Sequence, residues 1–287
     1  MNRPLKTLGR RGDPWPTQLI LIGVTYFTFV FLLFFPLVLV FASALSKGWL
    51  FYWAALNEPQ TKSAIGLTLL ATAIVTPLNS VFGVAVAYVL TKFDFRGKAI
   101  LTALVDLPFA VSPVVAGLAY VVYLGSHSVA GSWLNEIGIK VIFSLPGIVL
   151  ATLFVTVPFV ARELIPLMQT QGTDEEVAAL TLGARGWQIF HRITIPNIKW
   201  GLLYGIVLCN ARAMGEFGAV SVVSGHIRGQ TNTIPLQVEI FYDDYDFTKA
   251  FALASVLVFL TIGSLIVKFF LEKRFLNKLD NRSGGKR

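Results

Sequence analysis

The sequence TDEEVAALTLGARGWQIFHRITIP, from Thr173 to Pro196, is a polar, helix-forming segment inside an otherwise apolar chain. Its three acidic residues follow a Gly-Thr pair, so they lie in the first turn of the predicted helix, where the helix dipole favours negative charge. Gly183 and Gly186 are predicted to separate this helix from a second segment, Trp187 to Ile195, which we expect Pro196 to end. A membrane span would not carry so many polar residues, and the sequence therefore predicts a bent helical prong outside the bilayer.

The composition of the chain is that of a membrane protein. Hydrophobic residues make up 55% of the sequence, charged residues 14%, and the mean hydropathy is +0.67, which leaves too little polar surface to cover a soluble globule. A helix needs about 20 mostly apolar residues to cross the bilayer, and we predict an all-α, polytopic fold with six transmembrane helices. They lie near residues 17–45, 64–90, 100–124, 146–168, 200–224 and 249–271, within a transmembrane domain at 17–271, with a loop at 171–196 and tails at 1–16 and 272–287.

Prolines and polar residues interrupt three of the six predicted spans. A proline removes a backbone donor and kinks a helix, and small neighbours allow close packing, so we expect these three spans to be the functional ones. An ordinary proline kink without a functional part is the alternative. The interrupting residues are Pro77 and Asn79 in the second span, Asp106, Pro108, Ser112 and Pro113 in the third, and Arg212 and Glu216 in the fifth.

Arg212 and Glu216 are four residues apart, so they share a helix face and are able to pair. A lone charge at mid-membrane costs at least about 2.5–3.5 kcal/mol, which excludes a position facing lipid for both. Two interpretations stay open: a structural ion pair that joins two helices, or a positive potential from Arg212 along the path of an anion. Asp106, about two turns into the third span, is a candidate third member that would reach Arg212.

The distribution of Lys and Arg predicts the orientation, because positively charged loops stay in the cytoplasm. The formal net charge of +8 lies mainly in the flanks on one side, where contact with anionic membrane lipid explains it without nucleic acid. We therefore predict that both termini and the prong are cytoplasmic. The residues assigned to that side are those at 3–11, 92–98 and 268–287, and Arg162, Arg185, Arg192 and Lys199 between the fourth and fifth spans.

Several kinds of chemistry have no sequence pattern in this chain. There is no G-x-x-x-x-G-K-[ST] phosphate loop, G-x-S-x-G turn or H-E-x-x-H helix, so nucleotide hydrolysis and membrane enzymes are disfavoured. The single cysteine, Cys209, and three scattered histidines predict neither a disulfide nor a metal centre. A gradient-driven carrier remains the main rival to an ATP-driven transporter, although such carriers commonly contain paired halves and no convincing internal repeat is present.

The prong resembles the cytoplasmic signature loop of permease subunits in ATP-binding-cassette importers. Anchored on Gly183, the two alanines, the isoleucine and the proline of that pattern match, whereas Ile195 replaces a leucine, Val177 occupies the glutamate position, and a glutamate lies one residue early. The resemblance implies a type I importer permease (MetI-like) fold, and a prong that docks into a separate ATPase subunit, which would bind the ATP and Mg. A plain surface loop is the alternative. The candidate coupling residues are Glu175, Glu176, Ala178, Ala179, Gly183, Ala184, Gly186, Ile193 and Pro196.

Two interrupted spans carry a further resemblance. DLPFAVSPVVAGL, from Asp106 to Leu118, and NARAMGEFGAVSVVSG, from Asn210 to Gly225, are similar to the permeases of sulfate and molybdate importers, and the resemblance extends over roughly Ser63 to Phe270. It implies a multi-pass subunit of the inner (plasma) membrane that carries sulfate or thiosulfate by alternating access. The implied partners are a related permease, two copies of an ATPase and a periplasmic sulfate-binding protein. The acidic loop Asp243 to Asp246 is a candidate docking surface for the binding protein, and a solvated loop is the alternative. Molybdate or tungstate remains the alternative cargo.

Overall fold

The computed structural model of the protein describes residues 15–284, with side chains described for residue 15 and residues 17–270. All regular structure in these residues is helical, in agreement with the all-α prediction. Residues 1–14 of the predicted N-terminal tail lie outside the described residues, as do residues 285–287 and the side chains of the predicted C-terminal tail.

Thirteen α-helices and one π-helical turn follow one another along the described chain. They are α1 (Trp15–Ala44), α2 (Trp49–Asn57), α3 (Pro59–Lys92), α4 (Lys98–Ala110), α5 (Pro113–Leu124), α6 (Val129–Glu136), α7 (Leu145–Gln171), α8 (Asp174–Thr181), α9 (Gly186–Ile189), the π turn (Phe190–Thr194), α10 (Ile195–Met214), α11 (Gly218–Ser224), α12 (Ile234–Asp243) and α13 (Phe247–Gly284).

Four of these helices, α1, α3, α7 and α13, are long and apolar enough to cross a bilayer. Two helix pairs reach the same length and composition only when their members are taken together: α4 with α5, bent by 105°, and the continuous helix Gly186–Met214 with α11, bent by 51°. The described chain therefore contains six spans when each bent pair is one span, which agrees with the predicted fold class. The two bent pairs are the third and fifth spans, two of the three that the sequence marked as interrupted. The remaining one, the second span α3, is instead continuous through Pro77.

Helix α7 is the centre of the fold, and α3, α4, α10 and α11 all pack against it. An apolar cluster joins α3, α7 and α10 through Ala87, Val160 and Ile198, which are fully buried. Asn79 of α3 is also fully buried, and its Nδ2 donates to Thr156 Oγ1 of α7 at 2.7 Å. Apolar contacts alone give little specificity between helices in lipid, so this polar contact helps to fix the pairing of the two helices.

Candidate functional sites

The prong is a helix–turn–helix at the end of α7, and we call residues 171–196 the elbow. Its first helix, α8, carries three acidic residues in its first turn, as the sequence predicts. The helix ends at Thr181, and Gly183, two residues further on, has a φ of +83°. There the Gly183 N–H donates to Leu180 O at 2.9 Å, and the Ala184 N–H donates to Ala179 O at 3.0 Å. These are the two hydrogen bonds of a Schellman motif, so Gly183 is required by the backbone conformation.

Gly186 has no comparable requirement. Its φ is not positive, and a Cβ at this position would contact nothing within 4 Å. The second half of the elbow is fixed instead by Gln188, whose Oε1 accepts a hydrogen bond from the Arg185 N–H at 2.8 Å. Of the two glycines in the predicted break, only Gly183 is therefore demanded by the structure.

The prediction that Pro196 ends the second helix is wrong. The helix continues from Gly186 to Met214, and Pro196 lies in the first turn of α10. The π turn directly before it explains why the proline is tolerated: the Ile195 N–H donates to Phe190 O, five residues earlier. In a wider turn the proline ring avoids the carbonyl with which it would clash in an ideal α-helix. Ile193 lies within this π turn and is half-buried.

Glu176 binds inward, toward the body of the protein. Its Oε2 lies 2.9 Å from Lys92 Nζ at the end of α3, and its Oε1 accepts a hydrogen bond from Thr194 Oγ1 at 2.8 Å. Lys92 also donates to Gly172 O at 2.7 Å. The Lys92 and Glu176 side chains are only 9% and 15% exposed, so this ion pair is little screened by water. Together these contacts, which we call the elbow clamp, tie α8 to α3, to the end of α7 and to the π turn.

A second set of polar contacts supports the clamp. Asn197 Nδ2 donates to Glu175 Oε2 at 2.6 Å, and Gln171 Nε2 donates to Asn197 O at 3.1 Å. These residues and the clamp line a polar cavity of about 270 Å³. Sequence reasoning selected Glu175 and Glu176 but missed Lys92, Thr194 and Asn197, because no local spacing connects them to α8.

Four large apolar side chains of the elbow are exposed to solvent. Val177, Leu180, Leu182 and Trp187 are 52%, 57%, 87% and 71% exposed, and we call these four side chains the elbow patch. Val177 occupies the position at which the signature pattern has a glutamate, so the outward contact there is apolar. Of the predicted coupling residues, Ala178 is exposed, and Ala179 and Ala184 are half-buried. Exposed apolar patches occur at contacts with other proteins or with the membrane, so the elbow patch is a candidate contact surface.

The third span is broken between α4 and α5. Ser112 is exposed and extended, with ψ of 131°, and Pro113 is the first residue of α5. A proline disfavours the helical conformation of the residue before it, which explains the position of the break. Pro108 is buried within α4, which continues past it. The two prolines predicted as kinks therefore differ, since only Pro113 lies at the break.

The fifth span is broken between α10 and α11, and Glu216 lies in the break. Its carboxylate is 1% exposed, with Oε2 at 2.6 Å from Arg212 Nη1 and Oε1 accepting the Ala219 N–H at 2.9 Å. The pairing of Arg212 with Glu216 agrees with the sequence interpretation. The helix nevertheless ends at Met214, so the carboxylate acts at the break rather than along a continuous helix face.

The two broken spans meet at their breaks, and we call this contact the break junction. A Cβ on Gly218 would lie 3.2 Å from Pro113 Cβ, and a Cβ on Gly117 would lie 2.7 Å from Ala219 O. Only glycine allows the second approach, because the atom in the way belongs to the backbone. Broken backbone at membrane depth is tolerated where it is buried in protein or lines a water-filled cavity, so the junction is a candidate pathway element.

The expected contact between Asp106 and Arg212 is wrong. Asp106 Oδ1 instead lies 3.0 Å from Arg162 Nε, and the Arg162 guanidinium lies over the Phe109 ring at 4.6 Å. Arg162 was assigned to the loop after the fourth span, but it lies inside α7. The sequence offered a signal, because the predicted fourth span includes position 162, yet charge counting placed the residue outside the membrane.

The acidic loop after α12 is largely paired within the chain. Asp244 Oδ2 lies 2.8 Å from Arg228 Nη2, and Asp246 Oδ2 lies 3.4 Å from Lys249 Nζ, which also lies 3.0 Å from Glu58 Oε2. These pairs reduce the negative charge that the loop presents, which favours the solvated-loop interpretation. The described residues contain no group of three or more His, Cys, Asp and Glu side chains that could hold a metal ion.

Comparison with known proteins places these features in context. Residues 79–277 match the family described as binding-protein-dependent transport system inner membrane component. The chain is 48% identical over 274 residues to the sulfate transport system permease protein CysW of Escherichia coli (strain K12), across 96% of this chain and 94% of that protein. It is 34% identical over 254 residues to the sulfate transport system permease protein CysT of the same organism, across 88% and 92%.

Solved structures show the same fold at much lower identity. One chain of a bacterial alginate ABC transporter in complex with an alginate pentasaccharide-bound periplasmic protein superposes with a TM-score of 0.75 and 16% identity, covering 91% of this chain and 95% of that chain. A second structure, of a bacterial ABC transporter involved in alginate import, gives a TM-score of 0.73 and 18% identity, covering 91% and 94%.

Proposed function

The chain belongs to the family of binding-protein-dependent transport system inner membrane components, and we propose that it is a permease subunit of an ATP-driven importer that carries sulfate or thiosulfate across the inner membrane. The observation that carries the proposal is the 48% identity, over almost the whole chain, to a protein named for sulfate transport. The same name supports sulfate over molybdate or tungstate.

The partners follow from the same relatives and from the surface of the elbow. This chain is more similar to CysW than to CysT, which supports pairing with a CysT-like permease rather than with a second copy. The elbow patch offers an apolar docking surface to an ATPase subunit, which would bind ATP and Mg; this chain itself would bind no cofactor. A periplasmic sulfate-binding protein would capture the anion, as the family description implies.

Energy would pass from the ATPase to the spans through the elbow clamp. Because Glu176 contacts both Lys92 and Thr194, a movement of α8 carries the ends of α3 and α10 with it. The bent spans would respond at the break junction, where two short helices change direction, and so alternate between outward and inward openings. The elbow patch would therefore bind the ATPase, and the elbow clamp would transmit the motion of the ATPase to α3 and α10.

The Arg212–Glu216 pair fits best as a structural element of the junction. The buried Glu216 carboxylate forms an ion pair with Arg212 and accepts a hydrogen bond from the backbone N–H of Ala219. These two contacts stabilise the conformation of the break between α10 and α11. Truncating Arg212 would leave the buried Glu216 carboxylate uncompensated, which is strongly destabilising.

The topology is proposed with both termini in the cytoplasm. The elbow, the end of α3 and the start of α4 lie together, since Lys92 contacts Glu176 and α4 begins at Lys98. Basic residues are concentrated on this side, as expected for cytoplasmic loops. With six spans, both termini would lie on the same side as the elbow.

The test is uptake by the assembled system in proteoliposomes. The chain is produced with a CysT-like permease and an ATPase, and uptake of radiolabelled sulfate is measured with the binding protein and ATP added on their respective sides. We expect uptake that requires ATP and is reduced by excess unlabelled thiosulfate more than by molybdate. ATP-independent uptake driven by an ion gradient would contradict the proposal and identify a secondary carrier.

A further inference from the structure

Arg162 is a charged side chain at membrane depth whose guanidinium is largely open. It lies about 13 Å from the end of α7 at Gln171, and Asp106 lies about 12 Å from the start of α4 at Lys98, by the rise of an α-helix. The two side chains therefore meet at the same depth. Their exposed fractions are 56% for Arg162 and 41% for Asp106, so the pair lies on the surface of this chain rather than within it.

This surface is unsuited to lipid. Charged side chains within spans face the interior of a bundle or a water-filled cavity, and the short Asp106 side chain cannot extend to the membrane interface as a long one can. The broken backbone at Ser112, six residues further along the third span, is a second feature that hydrocarbon does not tolerate. Both features indicate that this face of α4 and α7 borders water or protein.

The geometry of the guanidinium favours water over protein. Asp106 contacts the Nε of the Arg162 guanidinium, and the Phe109 ring packs against one face of the guanidinium plane. Among the described residues, neither Nη nitrogen of Arg162 has a hydrogen-bond partner. A protein neighbour would have to supply acceptors for both Nη groups, whereas a water-filled pathway supplies them as water or as the transported anion. An arginine presents its donors as a planar fork that matches an oxyanion.

We propose that Arg162 is an anion-contacting residue of the translocation pathway, on the cytoplasmic side of the break junction, and that Asp106 holds its guanidinium in place. The inference rests on the proposed function, because it takes the cargo to be a divalent oxyanion. Asp106 neutralises part of the positive charge, so the site would pass a dianion onward rather than retain it. Arg162 would act on translocation, after the binding protein has released the anion.

The discriminating experiment compares charge-neutral variants in the proteoliposome assay. Arg162→Gln leaves Asp106 as an unpaired negative charge, whereas the double variant Arg162→Gln/Asp106→Asn removes both charges. If Arg162 contacts the anion, sulfate uptake falls by at least about tenfold in both variants, the effect of losing one hydrogen bond between charged groups, while Arg162→Lys retains a substantial part. If Arg162 serves only to neutralise Asp106, the double variant regains normal uptake, and the proposal is overturned. The matched control is Arg228→Gln, which breaks an ion pair of similar exposure outside the spans.

A second measurement keeps the proposal falsifiable if a variant fails to assemble. Arg162→Cys in the assembled transporter is treated with a membrane-impermeant, cationic methanethiosulfonate, and the buried Cys209 of the unaltered chain gives the background. Reaction that sulfate slows supports the proposal, and lack of reaction from either side of the membrane overturns it, whatever the uptake data show. Failure of the proposed function would look different, since the unaltered transporter would then show no ATP-dependent sulfate uptake.

Discussion

Glu176 acquires its role from partners that are distant in sequence. The signature pattern predicts a carboxylate on α8 that faces the ATPase, but here the glutamate lies one residue early and binds Lys92 and Thr194 instead. A shift of one residue on a helix rotates a side chain by about 100°, which is enough to turn it from the outer surface to the inner one. The sequence could predict an acidic residue in the first turn of α8, but not the lysine that it binds.

We predict that breaking the elbow clamp uncouples sulfate transport from ATP hydrolysis. In Glu176→Gln or Lys92→Met, the elbow patch is untouched, so the ATPase still co-purifies. The loss of charge-assisted hydrogen bonds worth about 1.5–3 kcal/mol lets α8 move without α3. We therefore expect sulfate transported per ATP hydrolysed to fall at least about fivefold, measured in proteoliposomes. The control is Lys98→Met, which removes a solvent-exposed pair with Asp94, and an equal loss in this control would contradict the role of the clamp.

Gly183 and Gly186 differ in whether the elbow backbone requires a glycine at that position. Gly183→Ala forces a side chain into the left-handed region, at a cost of about 1–2 kcal/mol, so the end of α8 loosens. Gly186 does not have a positive φ, and the Cβ of Gly186→Ala would have no atom within 4 Å. We expect faster limited proteolysis within the elbow for Gly183→Ala alone. Equal protection of both variants would show that the Schellman motif does not hold the elbow together.

The helical elements themselves were largely predictable from the sequence. Hydropathy and length identify the spans, and Pro113 marks the break in the third one because a proline constrains the residue before it. The continuation of the helix through Pro196 was not predictable, since it depends on the π turn of Phe190–Thr194. The contact of Asp106 with Arg162 was missed for a related reason: hydropathy reports depth in the membrane but not which helices are neighbours.

Pro113 fixes the position of the break between α4 and α5. Pro113→Ala removes the restriction on Ser112 and permits α4 and α5 to join into a straighter helix, which would separate the break junction at Gly218. We expect membrane insertion and assembly to be retained while sulfate uptake is abolished. Pro108→Ala is the control, because Pro108 lies within a continuous helix. Full activity of Pro113→Ala would show that the break is not needed for transport.

In the assembled transporter, we propose that the chain contacts its ATPase through the elbow patch. Leu182→Asp places a charge at the most exposed position of the patch, and burying that unpaired charge in an interface is unfavourable. We expect the variant to insert and fold, but the co-purifying ATPase to fall at least about tenfold, because an unpaired charge in the interface costs more than the roughly 1.4 kcal/mol that this factor represents. Ile137→Asp, at an exposed apolar residue after α6, should have no effect.

The assembly also explains why the sequence could indicate a transporter without defining its cargo. The described residues of this chain provide the elbow, two broken spans and two ion pairs within the spans. The proposed capture of sulfate belongs to a separate binding protein. Few residues of the permease itself are therefore expected to determine which anion is transported. In the proposed mechanism, this chain determines the side from which it is driven and the route along which the anion passes.

The side from which the chain is driven can be measured directly with Leu182→Cys in intact cells and inverted membrane vesicles. A membrane-impermeant thiol reagent should label this position only in inverted vesicles, where the cytoplasmic face is outward, and the co-assembled ATPase should block the labelling. Labelling of Leu182→Cys in intact cells would place the elbow on the outer face, away from ATP, and would contradict the account.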